Sequence, residues 1–329
     1  MQAPRFWARP PEAPGWQAHL LAPLAWIWRA VTRRRMARPP DVRLSVPVIC
    51  VGNLTAGGAG KTPTVIALGE RLKARGRAVH VVSRGYGGRL VGPVEVDPRR
   101  HGADEVGDEP LLIAAFAPVW VARDRAEAGR AAVAAGAEVV VMDDGFQNPG
   151  LAQDLSIVVV DAWGFGNGRV LPAGPVREPV GEGQARAGAV LAIGTDTARE
   201  RLMEDWPELA GLPLLAGRIA PLATGMDWQG LRALAFAGIG RPEKFFATLE
   251  GLGAEVVARH GLPDHAPFAP ALLTRLEAEA RAKRAQLVTT EKDAVRLPAA
   301  FRSKVLVLPV RLELADQSAL DRLLAEYAL

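Results

Sequence analysis

Short apolar runs rich in Val and Ile recur along the chain, and they alternate with stretches whose apolar positions fall three and four apart. "VPVICVG" (46–52), "AVHVVSRG" (78–85), "PVWVAR" (118–123), "AEVVVMDDG" (137–145) and "LSIVVVDA" (155–162) are continuously apolar, as strands buried on both faces are. Between them, residues from about Lys61 to Arg75, "EPLLIAAFA" and "DRAEAGRAAVAAG" carry helical spacing. This βα alternation predicts an α/β fold, a mostly parallel sheet sandwiched by helices. A Gly- and Pro-rich loop over 163–183 interrupts the series, and "AVLAIG" and "LPLLAGRI" continue it. Around residues 221–232 the pattern restarts as strand–turn–helix–strand, followed by a helix over 270–284, a strand at "AQLVTT" and the apolar "KVLVLPVRLEL". The expected organisation is an N-terminal segment 1–40, a larger α/β unit 41–225 and a smaller α/β unit 226–329, whose last strand can return to the linker.

Composition sharpens this picture in two places. The chain has 329 residues and one cysteine, Cys50, so no internal disulfide forms and a reducing compartment fits. With five His and no Cys cluster, a Cys/His zinc site is not expected. The net charge of +4 is unevenly spread. Residues 1–45 hold eight arginines against two acids, a net +6, whereas the remainder holds 32 basic against 34 acidic residues, a net −2. Basicity confined to one end argues against a nucleic-acid-binding body and for a short basic attachment segment.

That segment also holds four of the eight tryptophans, Trp7, Trp16, Trp26 and Trp28. In "WQAHLLAPLAWIWRAVTRRR", Leu20, Leu24, Ile27 or Trp28, and Val31 share a helical face, and Arg33–Arg35 follow. The apolar part is far shorter than the roughly 20 residues that span a bilayer, and it lacks the features of a signal peptide. Two readings stand: an interfacial helix on an anionic leaflet, or a helix packed on the protein's own body.

The strongest chemical signal is "VGNLTAGGAGKTP", a strand, a glycine turn and Lys-Thr opening a helix. Glycines let successive backbone N–H groups turn toward phosphate oxygens, and the helix N-terminus adds partial positive charge. The loop Thr55, Ala56, Gly57, Gly58, Ala59, Gly60, Lys61 and Thr62 is therefore expected to bind a nucleotide, with Lys61 reaching the β/γ-phosphates and Thr62 ligating Mg2+. The first glycine of G-x-x-x-x-G-K-[ST] is replaced by Thr55, with Gly52, Gly57 and Gly58 nearby. Of the basic residues 34 are Arg and only 6 are Lys, which makes a lysine at this one point informative. Asp143 and Asp144, at the end of an apolar strand, are expected to complete the metal site; which of them ligates directly stays open.

Other residues have two readings each. Asp108 reads as an N-cap before "EPLLIAAF", and His265 as a local hydrogen bonder in "PDHAPF". Arg84 follows a strand end and suits phosphate, while Tyr86 suits stacking or packing. Arg177 and Glu178 are either site residues or a surface ion pair of small worth. Thr290, with Asp293 three residues on, reads as a helix cap.

Taken together, the glycine turn, "SRGYGG", "GDEP", "DDGFQ", "PAGPVREP", "PDH" and "TTEKDAVR" resemble the tetraacyldisaccharide 4'-kinases, from about residue 16 to the C-terminus. The resemblance implies a P-loop kinase-like fold with two α/β/α units, ATP and Mg2+, and phosphorylation of the 4'-hydroxyl of a lipid A disaccharide 1-phosphate. It implies a peripheral place at the cytoplasmic face of the bacterial inner membrane, an anionic membrane surface as partner, and no nucleic-acid or protein partner. It carries the role of catalytic base to Asp108, of its support to His265, and of substrate or metal-proximal contacts to Arg84, Arg177 and Glu178. Many members have a second His after the first; here that position is Ala266. The alternatives are a membrane-associated P-loop ATPase or GTPase, or a non-catalytic nucleotide-binding adaptor. Against the first, the early loop lysine of partitioning ATPases is Ala56 here, and no guanine-reading motif is present.

Overall fold

Residues 3–58, 60–264 and 266–329 are described in the computed structural model. The strands are β1 (Val48–Gly52), β2 (Val79–Ser83), β3 (Val94–Glu95), β4 (Val119–Val121), β5 (Val139–Asp143), β6 (Leu155–Asp161), β7 (Ala189–Ile193), β8 (Leu214–Pro221), β9 (Arg232–Ala237), β10 (Glu255–Gly261), β11 (Gln286–Thr290), β12 (Val305–Leu308) and β13 (Val310–Leu314). They form a nine-stranded sheet in the order β13-β8-β7-β6-β1-β5-β2-β4-β3 and a four-stranded sheet in the order β10-β9-β11-β12. In the large sheet only the edge pairs β3–β4 and β8–β13 are antiparallel. The small sheet is parallel throughout.

The apolar runs explain the layering. Alternate residues of each strand point to opposite faces, so β1 sends Ile49 and Val51 into one core and Val48 and Cys50 into the other. β5 does the same with Val139 and Val141 against Val140 and Met142. The helix Lys61–Ala74 seals the first face with Val65, Leu68 and Leu72. The helix Arg125–Ala134, capped by Asp124 accepting from Ala126 N–H, seals the second with Ala128 and Ala132. Both faces are covered, which is why these strands read as unbroken apolar runs.

"KVLVLPVRLEL" splits at Pro309. β12 stays in the small sheet, while β13 crosses to pair with β8 in the large one. The helix Gln317–Glu326 follows it and buries Leu320, Leu323 and Leu324 in the large core. The small sheet thus takes its strands from residues 232–308, and the chain is threaded back across the junction.

Cys50 is fully buried, and burial pushes its thiol up to about 12. We expect a thiol reagent at pH 8 to label the native protein at least about 100-fold more slowly than the denatured chain. Rapid native labelling would show that β1 opens and would contradict this core.

Candidate active site

β1 and β5 lie side by side and parallel, so their C-terminal ends present the glycine turn and the paired aspartates to one edge. The turn runs into the helix Lys61–Ala74, whose N-cap Gly60 has φ +90°. That left-handed conformation favours glycine; a Cβ there would lie 2.6 Å from Ile193 Cδ1, a side-chain end that can give way. Lys61 Nζ is 3.3 Å from Asn53 Oδ1, 3.4 Å from the Gly57 carbonyl and 3.7 Å from Asp144 Oδ1. Thr62 lines the same cleft. The start of the turn is tethered: Thr55 pairs with Val176, and the Ala56 N–H donates to the Pro175 carbonyl at 2.8 Å. That amide is committed to the protein, so the part of the loop facing open space begins at Gly57 and Gly58. Ala59 lies outside the described residues.

The two adjacent acids differ in environment. Asp144 adopts φ 47° and is gripped by Arg177, whose Nη1 and Nη2 lie 2.9 and 3.3 Å from its two oxygens. Its carbonyl accepts from Arg125 Nη2 at 2.7 Å. Burial raises the Asp144 carboxyl, but Lys61 and Arg177 outweigh it and hold the group below the usual range. Asp143 is 2% exposed and accepts from Ser83 Oγ at 3.4 Å. Burial, then the neighbouring Glu109 and Asp144 carboxylates, push it up to about 7. A buried acid raised by its acidic neighbours is one that a cation would relieve. Two carboxylates and the Thr62 hydroxyl are too few for an all-protein cage; they suit Mg2+, which keeps waters and shares substrate phosphates.

Gln147 knits these parts together. Its Nε2 donates to the Asn53 carbonyl and to Glu178 Oε1, both at 3.0 Å, while its Oε1 accepts from Arg177 at 3.1 Å. Glu178 is 2% exposed and pairs with Arg186 at 2.8 Å, so it is a buried anchor and not a surface ion pair. The loop that carries Arg177 is also fastened to the N-terminal segment. Trp28 Nε1 donates to the Arg177 carbonyl at 3.0 Å, Arg29 pairs with Glu182 at 2.6 Å, and Trp7 Nε1 donates to the Pro172 carbonyl at 3.2 Å.

On the far side of the edge, Gly107 at φ +91° caps the helix Asp108–Ile113. Asp108 is therefore the first helical residue and not the N-cap; its Oδ1 accepts the Glu109 N–H at 3.0 Å. It is 4% exposed, with Arg296 Nε 3.9 Å from its Oδ2. Glu109 pairs with Lys292 at 3.3 Å. Thr290 does cap the helix Glu291–Ala294, accepting from Asp293 N–H at 3.1 Å. Arg84 and Tyr86 are exposed at the rim. His265 lies outside the described residues. A cleft of about 2920 Å³ joins the turn, the aspartates and Glu109 to Lys244, Asp264 and Lys292 of the smaller unit.

Arg125, Gln147, Lys292 and Arg296 escaped the sequence reading. Arg125 carried one usable signal, its place just beyond the end of a parallel strand; the others depend on contacts between distant segments.

A strand–glycine turn–helix with Lys-Thr, facing two acids on the neighbouring parallel strand, defines a P-loop nucleotide-binding protein with phosphotransferase geometry. The comparisons narrow the class. The family model of the tetraacyldisaccharide-1-P 4'-kinases matches residues 17–328. The tetraacyldisaccharide 4'-kinase of Dinoroseobacter shibae is 63% identical over 322 residues, covering 97% of this chain and 96% of that protein. That of Rhodospirillum rubrum is 54% identical over 331 residues, covering 98% of each. A crystal structure of LpxK from Aquifex aeolicus in complex with ATP superposes with a TM-score of 0.75 at 27% identity, covering 94% of this chain and 98% of that one. The chain belongs to the tetraacyldisaccharide 4'-kinase family.

Lys61→Met removes the one ammonium that faces both Gly57 and Asp144. We expect it to lower kcat by about 10²–10³-fold with acceptor affinity unchanged. Steady-state kinetics in both substrates checks this; a change confined to acceptor KM would contradict the assignment.

Proposed function

We propose that this chain, as a peripheral protein on the cytoplasmic face of the bacterial inner membrane, transfers the γ-phosphoryl group of ATP to the 4'-hydroxyl of a tetraacyldisaccharide 1-phosphate, with Asp108 accepting the hydroxyl proton. One observation supports it above others: Lys61, the Asp143–Asp144 pair and Glu109, whose neighbour Asp108 opens the same helix, meet at a single cleft. Lys61 and the amides from Gly57 to Thr62 hold the polyphosphate. Thr62 and the paired aspartates would hold Mg2+, which supplies charge neutralisation at the β- and γ-phosphates. Arg177 fixes Asp144, and Arg84 and Arg125 add positive charge in the same cleft. The O4'–H proton passes to Asp108 as the O4'–Pγ bond forms and the bond from Pγ to the β,γ-bridging oxygen breaks, releasing ADP. Positioning and charge carry most of such a step, and the base refines it.

The membrane part rests on the N-terminal helices Trp16–Leu20 and Ala22–Met36. Trp16, Leu20, Leu24, Ile27 and Val31 follow helical spacing and are all more than half exposed. Arg33, Arg34 and Arg35 close the second helix, where its dipole also favours cations. Among the described residues no helix is long and apolar enough to cross a membrane. An apolar stripe ending in arginines suits the plane of an anionic leaflet, and the same stripe offers acyl chains a landing place.

Asp108→Asn is expected to lower kcat for product formation by about 10²–10⁴-fold while ATP affinity holds. An unchanged kcat would return Asp108 to a purely structural role. Serine at Leu20, Leu24 and Ile27 together should weaken binding to anionic vesicles by at least about tenfold, with activity on a short-chain acceptor retained. Undiminished vesicle binding would refute the interfacial reading.

A further inference from the structure

Arg296 is held from behind by the smaller unit. Its Nη1 donates to the Ala266 carbonyl at 3.1 Å and its Nη2 to the Gly238 carbonyl at 3.0 Å. Nη2 also pairs with Asp293, and the guanidinium carbon lies 5.0 Å from the centroid of the Phe268 ring. Asp293 is fully buried and is itself fixed, accepting from Thr290 Oγ1 at 2.7 Å and from Gly238 N–H. The Arg296 side chain is only 9% exposed. Its Nε is buried and has no hydrogen-bond partner among the described residues, and it lies 3.9 Å from Asp108 Oδ2 across the junction. That gap is too long for a hydrogen bond, and an unpaired buried donor is costly.

A purely structural arginine would need only the contacts behind it. The Nη groups and the ring already tie Arg296 into its own unit, yet the remaining donor points at a carboxylate belonging to the other. One turn earlier, Lys292 reaches the adjacent Glu109 across the same junction. Neighbouring acids on one unit are thus matched by cations on a single turn of the other.

We propose that Arg296 is a positioning residue for phosphoryl transfer. When the smaller unit closes on the nucleotide-filled cleft, Arg296 Nε–H donates to Asp108 Oδ2. The Glu109 N–H already holds Oδ1. The added Arg296 contact holds the carboxylate plane toward the acceptor hydroxyl. This inference rests on Asp108 being the proton acceptor.

Kinetics of Arg296→Lys and Arg296→Gln, alone and combined with Asp108→Asn, test it, with thermal melts to monitor folding. Each single variant should lower kcat by about 10- to 100-fold and leave KM for ATP within about threefold. In the Asp108→Asn background neither should remove further rate, because Arg296 acts through Asp108. Losses that multiply in the double variants, or wild-type kcat in the singles, overturn the assignment. Wild-type rate in Asp108→Asn alone defeats the base reading beneath it; a slow Asp108→Asn beside fully active Arg296 variants defeats only the Arg296 role. Should both Arg296 variants unfold, arginine Nε–H NMR of the intact protein decides. Adding Mg2+ and a non-hydrolysable ATP analogue should move one Nε–H resonance downfield, and Asp108→Ala should abolish the shift. No shift, or the same shift in Asp108→Ala, overturns the proposal.

Discussion

The site depends on keeping several carboxylates ionised where water is scarce. Asp108 and Asp143 are nearly inaccessible, and Glu109 and Asp144 stand next to them in the chain. Two unit charges 4 Å apart interact by about 4 kcal/mol at an effective dielectric near 20, so unbalanced acids at this density would take up protons. Cations from four separate segments provide the balance: Lys61 from the glycine turn, Arg125 from the helix after β4, Arg177 from the long loop, and Lys292 with Arg296 from the smaller unit. Burial, then the Glu109 and Asp144 carboxylates, still push the Asp143 carboxyl up to about 7, and a metal–polyphosphate fits beside it.

The fold makes that concentration of charge possible. Parallel strands sealed on both faces leave their C-terminal edge as the outlet for polar side chains, and β1 next to β5 brings Lys61 to Asp144. The loop over 163–183 then links this edge to the N-terminal segment. Trp7 and Trp28 bond to carbonyls at either end of "PAGPVR", and Arg177 at its close grips Asp144. The stripe that suits a membrane is therefore one hydrogen bond away from the residue that orders the aspartate pair.

Much of this was legible from residue order. The Val/Ile runs, the glycine turn and the adjacency of Asp143 and Asp144 are local patterns, and local patterns survive in one dimension. The difference between the two aspartates was not legible, because it is set by burial and by distant charges, among them Arg177, 33 positions from Asp144. Asp108 reads as an N-cap by type, yet Gly107 takes that place because the helix starts one residue earlier. That the last strand can return to the linker was legible; that Pro309 is the point where β12 and β13 part into different sheets was not. Arg296 had no reading of its own in the sequence; its approach to Asp108 exists only once two units meet.

The most direct measurement is ³¹P NMR of the complete reaction, with purified protein, Mg2+, ATP and a tetraacyldisaccharide 1-phosphate in mixed micelles. The expected spectrum gains one phosphomonoester resonance at the 4' position for each ADP formed, with no free phosphate beyond background. ATP consumed to inorganic phosphate, or no consumption at all, would contradict the account.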